Sequence, residues 1–393
     1  MKDMSLNFNG FDPIAAVNYK AGVNPNALET NALFKHLGLQ QTPGRALNFQ
    51  TPIKVNCAQP MQILLVGCGG TGSHLLPNIL QYLWAAAKGN ISAMPEVILV
   101  DPDILEVKNL VRQRFTKADV GMSKAEALAR RYSGAFGVRL RVYDKYISSQ
   151  ADMTAIFDNP STPDAPGITA ALKTRIVIGA VDNHRARMVI WQWMNGIADR
   201  AHAGNKYWID AGNETWHGQV IMGFKASTAT NNNTDLPLWK DAKLKADKTP
   251  AYIKPVDLPG YFEHYPDEFV KIKDTPVTPQ NHCAAMVEEN PQTIQANMMS
   301  AFCATSLFVQ AHSGELRTNA IHFDCITGNT ASALVTKDNL VSWASMTETN
   351  RNKILELLSA ELNADPVKAK AALSKMPEWK FLSEDVRRND ILL

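Results

Sequence analysis

Residues 63–80 read ILLVGCGGTGSHLLPNIL. An apolar run stops at four clustered glycines, Gly67, Gly69, Gly70 and Gly72, and an amphipathic pattern follows without a gap. An apolar run with no alternation is a strand buried on both faces, as in a parallel sheet. A helix that starts directly after a glycine turn offers unpaired N–H groups and the positive end of its dipole, so the junction suits a small anion. Glycines let the chain turn tightly there and let a ligand approach the backbone. A chain with this junction is constrained towards an α/β architecture. The spacing G-x-G-x-x-G fits a dinucleotide and ATP equally, and a tight turn without a ligand is the plain alternative.

The pattern then repeats. MQILLV (61–66) is the first strand, and the helix after it carries Leu75, Leu76, Ile79, Leu80, Leu83 and Trp84 on one stripe. EVILVD, VRLRVY, TRIVIGAVD and KYWIDAG read as further strands, with SKAEALARRYS and RARMVIWQWM as helices between them. GQVIMGF follows KYWIDAG closely and is expected to run antiparallel to it. Strands alternating with helices imply a Rossmann-like, mostly parallel sheet with helices on both faces. Around this unit, 61–330, lie an N-terminal extension, 1–60, and a helical C-terminal extension, 331–393. Residues 225–280 are polar and proline-rich and read as an inserted loop region rather than sheet core. A long helix is expected over 283–312 and a closing strand at AIHFDC, 320–325. In the C-terminal extension Ile354, Leu355, Leu357, Leu358 and Leu362 form an apolar stripe that must be buried against the sheet domain, a partner or a second copy.

Bulk charge narrows the function. Lys plus Arg number 40 against 38 Asp plus Glu, a formal net charge of +2, which argues against a large nucleic-acid footprint. No run reaches the length of a membrane span, and the N-terminus has no signal-peptide core, so a soluble cytoplasmic protein is expected. The five cysteines form no CxxC pair, which fits a reducing compartment and argues against a paired-cysteine zinc site.

The segment after the second strand is DPDILEVKNLVRQRFTKADVGMSKAEALA. Asp101 ends that strand and suits ribose hydroxyls, but it lies 34 residues beyond Gly67, against about 20 in a usual dinucleotide fold. Asn109, Arg112, Gln113 and Lys124 follow closely. Hydride transfer has no need of two cations beside a ribose. A triphosphate does, because Arg can fork onto phosphate oxygens and Lys can meet a leaving pyrophosphate as a point charge. Taken singly, each such cation is more often a solvated surface charge.

Here the chain resembles the ThiF, MoeB and ubiquitin-activating-enzyme superfamily, whose ordered motifs are G-x-G-G-x-G, D-x-D, N-L-x-R-Q, G-x-x-K and D-N. This sequence has Gly67-Cys68-Gly69-Gly70-Thr71-Gly72, Asp101-Pro102-Asp103, Asn109-Leu110-Val111-Arg112-Gln113, Gly121-Met122-Ser123-Lys124 and Asp182-Asn183. Its length, its HCAAMVEENPQTIQAN segment and its lack of zinc cysteines resemble the ThiF-related proteins of PRTRC systems. The resemblance implies an adenylation domain over 61–330 that uses ATP and Mg²⁺. Gly67, Gly69, Gly70 and Gly72 would cradle the nucleotide, and Asp101 would hold the ribose. Asn109, Arg112, Gln113 and Lys124 would surround the phosphates, and Asp182 would bind the metal. Asp182 as a helix N-cap is the alternative, and Asp103 as a turn residue only is another. The substrate would be the C-terminal carboxylate of a ubiquitin-like or sulfur-carrier protein, with a conjugating-enzyme-like protein as a further partner and a homodimer as the assembly. Competing readings are an adenylylating enzyme acting on a small molecule or tRNA, an NAD- or FAD-dependent oxidoreductase, and a silent scaffold.

Family members often pass the acyl group to a cysteine. Cys68 sits inside the glycine loop, where it reads as a small turn residue, and Cys303 sits in an apolar helix, where it reads as packing. Cys283, after the polar insertion and at the expected start of a helix, is the candidate acceptor thiol, with His282 beside it.

Overall fold

The computed structural model describes residues 53–54, 61–158, 174–195, 204–225, 257–266, 268, 292–335, 339, 343, 346, 349 and 350, all within one compact unit, Gln50–Leu393. The expected strands form. β2 (Met61–Val66), β3 (Glu96–Val100), β4 (Leu140–Tyr143), β5 (Thr174–Gly179) and β6 (Lys206–Asn213) pair in parallel. β7 (His217–Lys225), β9 (Thr318–Asp324) and β10 (Thr330–Leu334) add antiparallel pairs, giving the order β10-β9-β7-β6-β5-β2-β3-β4. β1 (Ile53–Lys54) and β8 (Glu315–Leu316) pair separately. The strand read as the closing one is therefore not the edge, since β10 lies beyond it.

Side-chain alternation along β2 sorts the helices. Ile63 and Leu65 face the core made with α1 (Gly70–Ala86), α2 (Lys124–Phe136) and α6 (Ile294–Ser313). Leu64 and Val66 face the opposite core, made with α3 (Gln150–Asp158), α4 (His184–Asn195) and the short α5 (Tyr261–His264). All six residues of β2 are buried, and each large apolar side chain so placed contributes about 1.5–3 kcal/mol. This is the Rossmann-like, mostly parallel sheet expected, with helices on both faces.

Three expectations change. Trp84 is 46% exposed, while Leu75, Leu76, Ile79, Leu80 and Leu83 are buried; the stripe drifts round the helix and leaves its last member outside. Within the stretch read as lying outside the core, Leu258, Tyr261 and Phe262 are buried, and Phe224 and Leu258 bridge backbone to backbone. Leu258 joins the core on the α1 side of the sheet, and Tyr261 and Phe262 join the opposite one. Helix α6 begins at Ile294, where Thr293 Oγ1 caps the Ala296 N–H at 3.2 Å, so it supplies no N-terminus at Cys283. Cys283, His282, residues 1–52, most of 225–280 and the stripe from Ile354 to Leu362 lie outside the described residues.

Candidate active site

The strand order reverses between β2 and β5, and open α/β sheets bind ligands beyond the strand ends at such a point. Five segments converge there: the glycine loop after β2, residues 101–124 after β3, the β5–α4 turn, the β6–β7 turn and the start of α6.

Backbone contact explains two of the glycines. Gly67 has φ +91°, and a Cβ on it would lie 2.4 Å from the Ala180 carbonyl oxygen. A Cβ on Gly72 would lie 2.0 Å from the Gly67 carbonyl oxygen. Helix, loop and the end of β5 are thus stacked backbone on backbone. A Cβ on Gly70 would meet the Asn297 carboxamide at 2.6 Å, whereas one on Gly69 would meet only Gln113 Nε2, at 3.7 Å. Gly69 is not required by packing, and the space before it is the cradle. Two buried amide atoms border this cradle without a hydrogen-bond partner, Gln113 Oε1 and Asn297 Nδ2. Orphaned polar atoms beside an open helix N-terminus are the mark of a polar ligand's seat.

Asp101 is buried at the end of β3. Its Oδ2 accepts the Cys68 N–H at 2.7 Å and its Oδ1 the Asp103 N–H at 3.0 Å. Each oxygen keeps a lone pair for a further donor such as a ribose hydroxyl. Burial foremost raises its carboxyl to about 6, with the Lys124 charge opposing and the Asp103 charge adding.

Lys124, first residue of α2, is buried, and its Nζ donates to Asp103 Oδ2 at 2.8 Å. The Tyr146 hydroxyl donates to the other oxygen, Asp103 Oδ1, at 2.6 Å. Asp103 is therefore more than a turn residue, because it anchors the lysine. Arg112 Nη1 donates to Gln292 Oε1 at 3.1 Å, and Gln292 Nε2 donates to the Asn213 carbonyl at 3.1 Å. Asn213 continues the chain of amides. Its Oδ1 accepts from Thr71 Oγ1 at 2.9 Å, and its Nδ2 donates to Asn297 Oδ1 at 3.1 Å. Arg112 and the glycine loop are thus linked through the β6–β7 turn. Asn109 spends its Oδ1 on the Glu106 N–H at 2.9 Å, closing a capping box at the loop's helical turn.

Asp182 is exposed just beyond β5. The N-cap of α4 is its neighbour, since Asn183 Oδ1 accepts the Ala186 N–H at 2.8 Å. The capping alternative for Asp182 is set aside. Among the described residues no three His, Cys, Asp or Glu side chains converge as a metal cage. A magnesium ion would there rest on Asp182 together with nucleotide phosphates, a mode common for this ion.

The described cysteines are free. Cys68 is fully buried, and burial pushes its thiol well up, with the Asp101 charge adding. Cys303 is raised to about 11, chiefly by burial. Both fit packing.

The structure brings Gly67, Gly69, Gly70, Gly72, Asp101, Asn109, Arg112, Gln113, Lys124 and Asp182 to one end of the sheet. It adds Thr71, Tyr146, Asn213, Gln292 and Asn297, which the motifs did not indicate. No sequence signal marked Asn297, which stands two residues after another amide, Gln295, in the first turn of α6.

Parts of the chain are similar to known proteins. A 160-residue stretch is 27% identical to ubiquitin-like modifier-activating enzyme 5 of Drosophila grimshawi, covering 38% of this chain and 37% of that protein. A 79-residue stretch is 35% identical to the NEDD8-activating enzyme E1 catalytic subunit of Caenorhabditis elegans, covering 20% of this chain and 16% of that protein. The chain thus matches well under half the length of either relative. Among solved structures, E. coli MccB with AMPCPP and MccA is similar at 16% identity and a TM-score of 0.40, over 70% of this chain and 63% of that one. The ThiF family profile matches residues 55–339, more than half of the sequence and all five converging segments, and the chain belongs to the ThiF family.

Proposed function

We propose that this protein uses ATP to adenylylate the C-terminal carboxylate of a ubiquitin-like or sulfur-carrier protein. The observation that carries the reading is the cradle at Gly69, bordered by orphaned amides, with Arg112 and Lys124 carried on the segment after β3 that ends at the same edge of the sheet. The two activating enzymes among its relatives support the same class of reaction. A carboxylate oxygen attacks the α-phosphorus, the bond from that phosphorus to the bridging oxygen breaks, and pyrophosphate leaves. The protein aligns two anions that repel each other and neutralises the charge that builds on the leaving group. The open N-terminus of α1 and the cations Arg112 and Lys124 serve that purpose, with Asn109 and Gln113 beside them. A magnesium ion held by Asp182 and the phosphates would screen the phosphate charge.

The reading extends to transfer of the acyl group to Cys283 as a thioester, to a conjugating-enzyme-like partner, to a homodimer visible by light scattering and to a place near the PRTRC-type members. It is tested by pyrophosphate exchange into ATP with candidate carriers ending in glycine. Exchange should require the carrier's free C-terminus, and Cys283→Ala should leave exchange intact while removing a reductant-sensitive adduct. Exchange absent with every carrier would contradict the adenylylation.

A pH dependence follows from Asp101. Its folded value, about 6, lies above the ordinary 3.8, so the stability it contributes is fully present below the unfolded value and is lost as pH rises through the folded one. Binding runs the other way. A ribose hydroxyl needs the ionised acceptor, so the KM for ATP should climb as pH falls below about 6. Asp101→Asn should flatten that climb. Steady-state KM measured from about pH 5 to about pH 8 checks both statements.

A further inference from the structure

Beneath the β5–α4 turn lies a charged pair that the proposed chemistry does not use. Arg187 Nε donates to both oxygens of Asp210, at 2.9 and 3.1 Å, and the two side chains are 7% and 1% exposed. Asp210 lies on β6 opposite Gly179, the last residue of β5. Burying such a pair is costly, and apolar residues of similar volume often serve stability as well or better. Stability alone therefore does not explain the pair.

Its remaining contacts point to a different role. Arg187 Nη2 donates to the Val181 carbonyl at 3.1 Å, immediately before Asp182. On the other side of Asp182, Asn183 is tied to Ala186 as the helix cap. The exposed Asp182 is thus bracketed by two anchored residues. From below, Tyr261 covers the guanidinium, whose Cζ lies 4.7 Å from the ring centroid. The same segment returns at Glu268, which contacts His184 Nε2 at 3.2 Å. The turn is held from β6, from α4 and from the 257–268 segment together.

We infer that Arg187 and Asp210 are positioning residues that fix the β5–α4 turn and thereby the place of Asp182 relative to a nucleotide-bound cation. This rests on the adenylylation reading for its catalytic consequence, but not for the hold on the turn. Asp210 orients the guanidinium, and the guanidinium's spare N–H anchors the Val181 carbonyl. A carboxylate presented on an anchored turn meets its cation without reordering the backbone, and loss of such outer support typically costs about 10- to 100-fold in metal affinity.

The test combines Arg187→Met with Asp210→Leu, which removes both charges and leaves neither buried alone. The double variant should keep the wild-type thermal midpoint within a few degrees. Amide exchange over residues 182–186 should speed up by about tenfold or more as the turn loses its anchor. The magnesium concentration for half-maximal pyrophosphate exchange should rise by about 10- to 100-fold, with the KM for the carrier unchanged. A folded double variant with wild-type turn protection and wild-type magnesium requirement would overturn the inference. Should that variant not fold, Arg187→Lys keeps the charge opposite Asp210 but lacks the fork that reaches Val181. It should show the same loss of turn protection, and unchanged protection would again overturn the inference. Amide exchange needs no nucleotide, so a wild-type protein inactive in pyrophosphate exchange would contradict the adenylylation reading while leaving the positioning role to be decided by the turn itself.

Discussion

Replacing Arg112 with alanine is expected to lower pyrophosphate exchange by on the order of 10²-fold or more, the usual loss when a preorganised charge-stabilising donor is removed. The fold should not suffer. The guanidinium is half-buried and donates to the neutral Gln292 amide at 3.1 Å, so no charge is stranded. Lys124→Ala should lose exchange to a similar degree, but with a second effect. Its ammonium is paired with Asp103 at 2.8 Å, and Asp101 lies within reach of its charge. Without the lysine, Asp101 loses the one cation opposing its burial and stays protonated to higher pH. The Lys124 variant should therefore show the acid-side rise in KM for ATP shifted upward, whereas the Arg112 variant should not. Wild-type exchange rates in both variants would remove the phosphate assignment.

Gly72→Ala and Gly69→Ala should separate packing from ligand space. At Gly72 the new methyl would stand 2.0 Å from the Gly67 carbonyl oxygen, a backbone atom that cannot swing aside. Gly67 is itself pressed against Ala180 at 2.4 Å by the same measure. The cost should reach about 3 kcal/mol, the upper part of the range for overpacking, and lower the melting temperature by roughly 4 °C. At Gly69 the methyl meets only Gln113 Nε2 at 3.7 Å, ordinary contact distance, so the melting temperature should hold. Exchange should nevertheless fall by about tenfold or more, because the methyl occupies the space in which phosphate oxygens meet the helix N–H groups. Thermal unfolding and exchange rates on the two variants decide the matter. Unchanged exchange in Gly69→Ala would make the loop a turn and nothing more.

Much of this architecture is written locally. The apolar run that ends β2, Ile63 to Val66, and the glycines after it specify strand, turn and helix within 26 residues, Met61 to Ala86. Parallel strands in the core carry the same signature, which is why their order along the chain was readable. What failed to show was whatever depends on distant pairing. Thr71, Asn213 and Asn297 are 142 and 226 positions apart from the glycine loop outwards, and no spacing rule links them. Gln292 and Arg112 are 180 positions apart. The role of Asn183 as cap, in place of Asp182, turns on one residue of register that a sequence pattern does not fix. Leu258 and Phe262 were hidden by their polar surroundings, because composition averaged over a long segment conceals a few buried side chains. Leu258 packs into the core on one face of the sheet and Phe262 into the core on the other, a placement that only the topology reveals.

Oxygen transfer puts the central proposal to its most direct trial. A candidate carrier whose C-terminal carboxylate is enriched in ¹⁸O is incubated with the protein, ATP, magnesium and a thiol nucleophile, and the nucleotide products are weighed by mass spectrometry. Attack of the carboxylate on the α-phosphorus leaves one carrier oxygen on the phosphate when the acyl group departs, so the AMP released should carry one ¹⁸O. AMP without label, or ADP as the nucleotide product, would contradict the account.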